Sequence, residues 1–216
     1  MHDMKIPVRA QRRWYYRWAQ PPVKAMFNLY FRHETKGVEN LPQREGAVIA
    51  TNHASVLDPP LVGVDLPRPV YYMAKQSLHD IPIFGSLIRA YHSFPVKRGG
   101  FDRGAMKKAV EILKKKNLLL MFPEGTRTRD GSVQDFKAGV GKIVLDAGVG
   151  VLPGYIDGTF EAWPPGKMLP RPRKTTVTFG KMINFDDLDM DNPDRKTYRK
   201  VAERIRSAVV NLKNSE

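Results

Sequence analysis

Two short stretches of the chain hold side chains able to do chemistry. TNHASVLDP (51–59) sets His53 and Asp58 five positions apart, and FPEGTRTRDG (122–131) sets Glu124, Gly125, Thr126 and Arg127 side by side. A carboxylate against one imidazole nitrogen fixes the tautomer and stabilises the protonated ring, so the other nitrogen can take a proton. That is a general base with an orienting acid. On one straight helix, five positions turn through about 500°, which leaves the two side chains roughly 140° apart. The pair meets only if His53 lies in a turn and Asp58 opens the next element. The apolar AVIA (47–50) before it, and Pro59 and Pro60 after it, permit that arrangement. Spacing alone favours a plainer one: an aspartate capping a helix, beside a histidine bonded to a loop.

A base needs something to activate. There is no GxSxG elbow and no cysteine, so a covalent thioester intermediate is excluded. Ser55, between the two residues, suits the needs of the turn backbone. A base with no evident protein nucleophile points to direct activation of a substrate hydroxyl or of water. In the second stretch, Gly125 lets the backbone turn sharply, and Arg127 can grip a phosphate with a bidentate fork. Glu124 can hold an arginine or a substrate hydroxyl. The same residues also fit a strand-to-loop turn with a solvated ion pair.

These residues need a scaffold that brings them together. Six apolar runs read as strands: AVIA (47–50), VYYMA (70–74), FPV (94–96), LLLMF (118–122), VLPGYI (151–156) and TVTF (176–179). Between them, FDRGAMKKAVEILKKK places Met106, Ala109, Val110 and Leu113 at helical spacing. FKAGVGKIVLDAG reads as a helix ending near Gly148. A last helix starts at DNPDRK, with Asn192 as cap and Pro193 in its first turn, and Tyr198, Val201, Ile205, Val209 and Leu212 along one face. Strands alternating with helices predict an α/β domain with a largely parallel mixed sheet flanked by helices. In such sheets ligands bind beyond the carboxyl ends of the strands, where His53 is placed. The proline-rich, basic stretch from Trp163 to Lys174 reads as a surface loop.

The segment before this domain differs in kind. Residues 4–33 hold seven lysines and arginines and no acid, interleaved with Trp14, Tyr15, Tyr16, Trp18, Phe27, Tyr30 and Phe31. Pro21 and Pro22 predict two short helices. Aromatic rings between cations suit the headgroup layer of a bilayer. The expected division is therefore a membrane-interface helical segment at 1–36 and an α/β domain at 37–216. With 36 Lys and Arg against 22 Asp and Glu, the net charge is +14, a field that attracts nucleic acid, anionic lipid or phosphorylated small molecules. Absent cysteine excludes a disulfide framework. No apolar run reads as a membrane span, and the N-terminus lacks the apolar core of a secretory signal.

Taken jointly, NHASVLD and the later FPEGTR resemble the glycerolipid acyltransferase family, and within it the lysophosphatidic acid acyltransferases. The resemblance covers roughly residues 37–160 and includes GVENLP (37–42), AKQSL (74–78), FPVKRG (94–99), FKAG (136–139) and VLPGYI (151–156). It implies transfer of a fatty acyl group from a thioester of acyl-carrier protein or coenzyme A to the free hydroxyl of lysophosphatidic acid. His53 matches the family's base and Asp58 its partner. Glu124, Gly125, Thr126 and Arg127 match the acceptor-binding motif, Arg98 the basic residue of the intermediate motif, and Lys75 a further phosphate contact. The family's intermediate motif commonly starts with glycine and is more apolar than SFPVKRG. The resemblance calls for no metal and no cofactor beyond the acyl donor, and for a peripheral position on the cytoplasmic face of a membrane. Glycerol 3-phosphate or another lysolipid is the alternative acceptor. A non-catalytic protein binding anionic lipid or nucleic acid is the other alternative, although no nucleic-acid module is recognisable.

Overall fold

The computed structural model describes residues 14–97, 102–188 and 193–215. The chain runs α1 (Trp14–Phe31), β1 (Glu34–Lys36), β2 (Ala47–Thr51), α2 (Asp58–Val64), β3 (Val70–Lys75), α3 (Gln76–His79), α4 (Phe84–Ala90), β4 (Ser93–Val96), α5 (Arg103–Lys114), β5 (Leu118–Met121), α6 (Gly139–Ala147), β6 (Gly150–Asp157), α7 (Thr159–Ala162), β7 (Thr176–Phe179) and α8 (Arg195–Asn214). The strands form one seven-stranded sheet in the order β1-β7-β6-β2-β5-β3-β4. All neighbours are parallel except β6 and β7.

The central strand explains why helices must cover both faces. Every residue of β2 is buried. Side chains alternate across a strand, so Val48 and Ala50 enter one core with Ile112, Leu113, Val144 and Ile205 from α5, α6 and α8. Ala47 and Ile49 enter the other, with Leu61 and Val62 from α2 and Phe27 and Phe31 from α1. An apolar run without alternating polarity is what such a doubly covered strand requires. Helix ends are set locally. Asp102 accepts the Ala105 N–H at 3.0 Å at the start of α5, and Gly148, in the left-handed region at φ 63°, stops α6.

Three local expectations give way. Pro21 and Pro22 do not split the N-terminal segment; α1 runs through both. Proline removes backbone donors, but its fixed φ is itself helical. Tertiary anchors hold the helix on either side: the Gln20 side-chain amide donates to the Val64 carbonyl, Lys24 pairs with Asp65 at 2.6 Å, and Phe27 and Phe31 are buried. At the other end of the chain, Asp194 caps α8 by accepting the Thr197 N–H at 2.8 Å, so Pro193 precedes the helix. Asn192 lies outside the described residues. A carboxylate satisfies the first turn and also complements the helix dipole. Finally, Glu34–Lys36 form edge strand β1, paired with β7. Three polar residues carry no strand pattern, and short charged strands are how sheets end safely.

Candidate active site

Register brings the two motifs together. Ala50 of β2 lies opposite Met121 of β5 in a parallel pair. His53 and Glu124 each stand three residues further on, so they leave the sheet at the same edge and level. On the far side of β2, Asn52 replaces the backbone ladder with its side chain. Its amide donates to the Ile156 carbonyl at 2.9 Å, and its carbonyl oxygen accepts the Ile156 N–H at 2.8 Å. The main chain is thereby free to turn at His53 while β6 keeps its hydrogen bonds.

The His53 backbone is held at both ends. Its N–H donates to Glu124 Oε1 at 3.2 Å, and its carbonyl accepts the Thr128 N–H at 2.8 Å. Its ring stacks on Phe122 at a centroid distance of 4.0 Å and an interplanar angle of 19°. Nδ1 lies 2.8 Å from Asp58 Oδ2. That oxygen also accepts the Ala54 and Ser55 N–H groups at 2.7 and 2.8 Å. A carboxylate only accepts, so Nδ1 carries the hydrogen and Nε2 presents its lone pair. Among the described residues, Nε2 takes part in no hydrogen bond. Asp58 is fully buried and His53 nearly so. Ser55 is buried too, and its Oγ donates to the Trp163 carbonyl at 2.8 Å while accepting the Leu57 N–H. That hydroxyl serves the turn and is in no position to act as a nucleophile.

Glu124 lies beneath this turn. It is buried, Oε1 serves the His53 amide, and Oε2 has no hydrogen-bond partner. Burial pushes its carboxyl up to about 7, against the pull of the His53 amide; the Asp58 charge adds to the rise. Its partner is thus the backbone of the histidine turn, where the sequence pointed to an arginine or a substrate hydroxyl. Gly125 bends the chain at φ 75°. Thr126 is exposed and Arg127 half-buried. Lys75 is exposed at the end of β3, on the same sheet edge one strand beyond β5. Arg98 lies outside the described residues.

Two contributors escaped the sequence reading. Phe122 fixes the imidazole plane. Lys137 folds back over the second motif: a Cβ at Gly125 would lie 2.5 Å from its Nζ, and its N–H donates to the Pro123 carbonyl at 3.0 Å. FKAG (136–139) was the available signal, since it placed Lys137 within the resemblance without giving it a role. Among the described residues, no group of three or more His, Asp or Glu side chains is arranged to hold a metal ion, and no helix is long and apolar enough to cross a membrane.

Comparison with known proteins follows the same lines. The chain is 35% identical over 162 residues to the 1-acyl-sn-glycerol-3-phosphate acyltransferase of Limnanthes douglasii, covering 74% of this chain and 57% of that protein. It is 26% identical over 200 residues to the enzyme of that name from Bacillus subtilis (strain 168), covering 92% of this chain and 97% of that one. Among solved structures, the crystal structure of the 1-acyl-sn-glycerophosphate (LPA) acyltransferase PlsC from Thermotoga maritima superimposes with a TM-score of 0.68 at 26% identity. That match covers 94% of this chain and 84% of that one. The chain therefore spans less than two thirds of the length of the Limnanthes protein and nearly all of the Bacillus one. The family model described as Acyltransferase matches residues 32–157, more than half of the chain and the whole of the histidine site, and the chain belongs to that acyltransferase family.

Proposed function

We propose that this protein transfers a fatty acyl group from an acyl thioester to the free sn-2 hydroxyl of lysophosphatidic acid, giving phosphatidic acid. The observation that carries the reading is the His53–Asp58 contact at 2.8 Å, held at the sheet edge beside a turn that bears Arg127 and is covered by Lys137. The names of the relatives favour this acceptor.

In this reading His53 Nε2 takes the proton of the acceptor hydroxyl as its oxygen attacks the thioester carbonyl. Asp58 stabilises the imidazolium that forms and holds its ring. The tetrahedral intermediate collapses, the C–S bond breaks, and the imidazolium returns the proton to the departing thiolate. No acyl-enzyme forms. Arg127, Lys137, Lys75 and Arg98 bind the acceptor phosphate and so decide which hydroxyl meets His53. Glu124, Gly125 and Thr126 shape that turn, with Glu124 positioning the histidine. The acyl donor is a thioester of acyl-carrier protein or coenzyme A.

Residues 1–36, which contribute α1 and β1, serve as the membrane-facing part, and 37–216 as the catalytic domain. One stripe of α1, Phe27 and Phe31, packs on the core, while the opposite stripe exposes Trp18, Met26 and Leu29. A helix apolar on both faces has a second apolar neighbour, and a bilayer interface on the cytoplasmic side supplies it.

The test is an acceptor and donor panel with purified protein. Labelled acyl thioester should give phosphatidic acid from lysophosphatidic acid, and His53→Ala should lower the rate by about 10²- to 10⁴-fold with the fold intact. Product from glycerol 3-phosphate alone would move the acceptor to that compound. A folded His53→Ala protein with full activity would remove the base.

A further inference from the structure

The loop between α7 and β7 is conspicuous and has no part in the proposed reaction. Its root is fixed. The Arg171 N–H donates to the Ala162 carbonyl at 2.7 Å, which closes residues 163–170 into a compact Ω-like excursion. Inside it, Trp163 Nε1 donates to the Lys167 carbonyl at 2.8 Å. The Trp163 carbonyl accepts Ser55 Oγ at 2.8 Å, which ties the loop to the turn that carries His53. The tip is the opposite: Met168 and Leu169 are 90% and 77% exposed. Two large apolar side chains held in water on a tied loop are a loss unless something apolar meets them. Exposed Lys167, Arg171 and Arg173 stand on either side of them.

The tip also has a neighbour. Tyr30 Oη donates to the Pro170 carbonyl at 3.0 Å, so the loop lies beside α1, whose outer stripe leaves Trp18 75% and Leu29 84% exposed. Apolar tips flanked by cations, next to an aromatic amphipathic helix, match an anionic bilayer: rings and aliphatic chains enter the headgroup boundary while cations meet lipid phosphates. A second copy of the chain fits less well, since two such cationic faces on molecules of net charge +14 repel.

We propose that Met168 and Leu169 insert into an anionic membrane surface as a second contact beside α1. The inference rests on the membrane role given to α1 and adds to it. One helix lying in an interface leaves the domain free to roll about the helix axis. A second contact displaced to one side stops the roll, and the Ser55–Trp163 bond then sets the histidine turn at a fixed height over the lipid. The chain becomes a base held against the surface from which its acceptor comes.

The absence of cysteine gives a direct test, because Leu169→Cys and Leu29→Cys each create a unique site for an environment-sensitive dye. The labelled protein is mixed with vesicles of equal parts phosphatidylcholine and phosphatidylglycerol, and with phosphatidylcholine alone. On the anionic vesicles both labels should shift to the blue and be quenched by a quencher in the acyl region. Met168→Ser combined with Leu169→Ser should weaken vesicle binding by roughly tenfold without changing the circular dichroism spectrum. Insertion of the label at 29 but not at 169 overturns this inference and leaves the reading of α1 standing. Insertion at neither position, or no vesicle binding, overturns both. A blue shift at 169 that grows with protein concentration in the absence of vesicles assigns the loop to self-association and also overturns the inference.

Discussion

Glu124→Gln is expected to remove a large part of the pH dependence of stability. Burial holds the Glu124 carboxyl at about 7, against its ordinary 4.5. Between those values the folded protein keeps a proton that the unfolded chain releases. Stability contributed by this group is therefore present at low pH and lost as pH rises toward the folded-state value. At about 1.4 kcal/mol per pH unit, the full loss is ~3 kcal/mol, of which about 2.5 kcal/mol falls between pH 5 and pH 8. Glutamine keeps the carbonyl that accepts the His53 N–H and cannot ionise. Its NH₂ replaces an oxygen that has no partner and costs about 1–3 kcal/mol, but equally at both pH values, so it cancels in the comparison. Urea unfolding of both proteins at pH 5 and pH 8 gives four stabilities. The wild type should lose about 2.5 kcal/mol relative to the variant on going from the lower pH to the higher. If the difference between the two proteins is the same at both pH values, Glu124 is not a buried acid with a raised pKa, and its placement beneath the histidine turn is wrong.

The remaining predictions concern the same turn. Asp58→Asn keeps an oxygen for the Ala54 and Ser55 N–H groups but removes the charge behind His53, so kcat should fall by about 10²- to 10⁴-fold, while its NH₂, in place of the buried and partnerless Oδ1, should cost about 1–3 kcal/mol in urea titrations. Asp58→Ala strands both buried donors and should lower stability by about 2–6 kcal/mol in urea titrations. Arg127→Ala and Lys137→Ala should each raise KM for lysophosphatidic acid by roughly tenfold or more while changing kcat less, in initial-rate measurements across acceptor concentration. Gly125→Ala should cost about 1–2 kcal/mol by urea unfolding, because a side chain at φ 75° is strained; the Lys137 ammonium that meets the new Cβ can swing away.

Much of the frame is legible in the chain because the physics that builds it is local. Each of the strands β2 to β7 begins and ends within a residue or so of its apolar run, and Gly148 and the amphipathic faces of α5 and α8 are visible as spacing. Features decided by long-range pairing are not. β1 is three polar residues that become a strand only because β7 offers its edge. α1 continues through two prolines because Asp65, Val64 and the core grip both of its halves. In the site, the types of residue were readable, and the resemblance paired His53 with Asp58, but the other partners were not. Glu124 bonds a backbone N–H that lies 71 residues away in the chain, and Phe122 reaches the imidazole only because Ala50 and Met121 share a register. Spacing could ask whether His53 meets Asp58. The answer required the turn, and the turn required β5 and β6 on either side.

The charge balance around His53 follows from the task proposed for it. A turn that is to bind a phosphate, as proposed, needs cations, here Arg127 and Lys137, and cations repel the positive charge that the imidazole takes up in the proposed transfer. A base that must become an imidazolium beside them needs negative charge in closer contact. Asp58 supplies it at 2.8 Å from Nδ1, buried, where little water screens it. A surface carboxylate at the same spacing would be far weaker. That explains why Asp58 is folded into the turn with two backbone N–H groups on the same oxygen: those bonds offset part of the cost of burying it. In the proposed reaction the acceptor completes the balance, since its phosphate neutralises the cations of the turn.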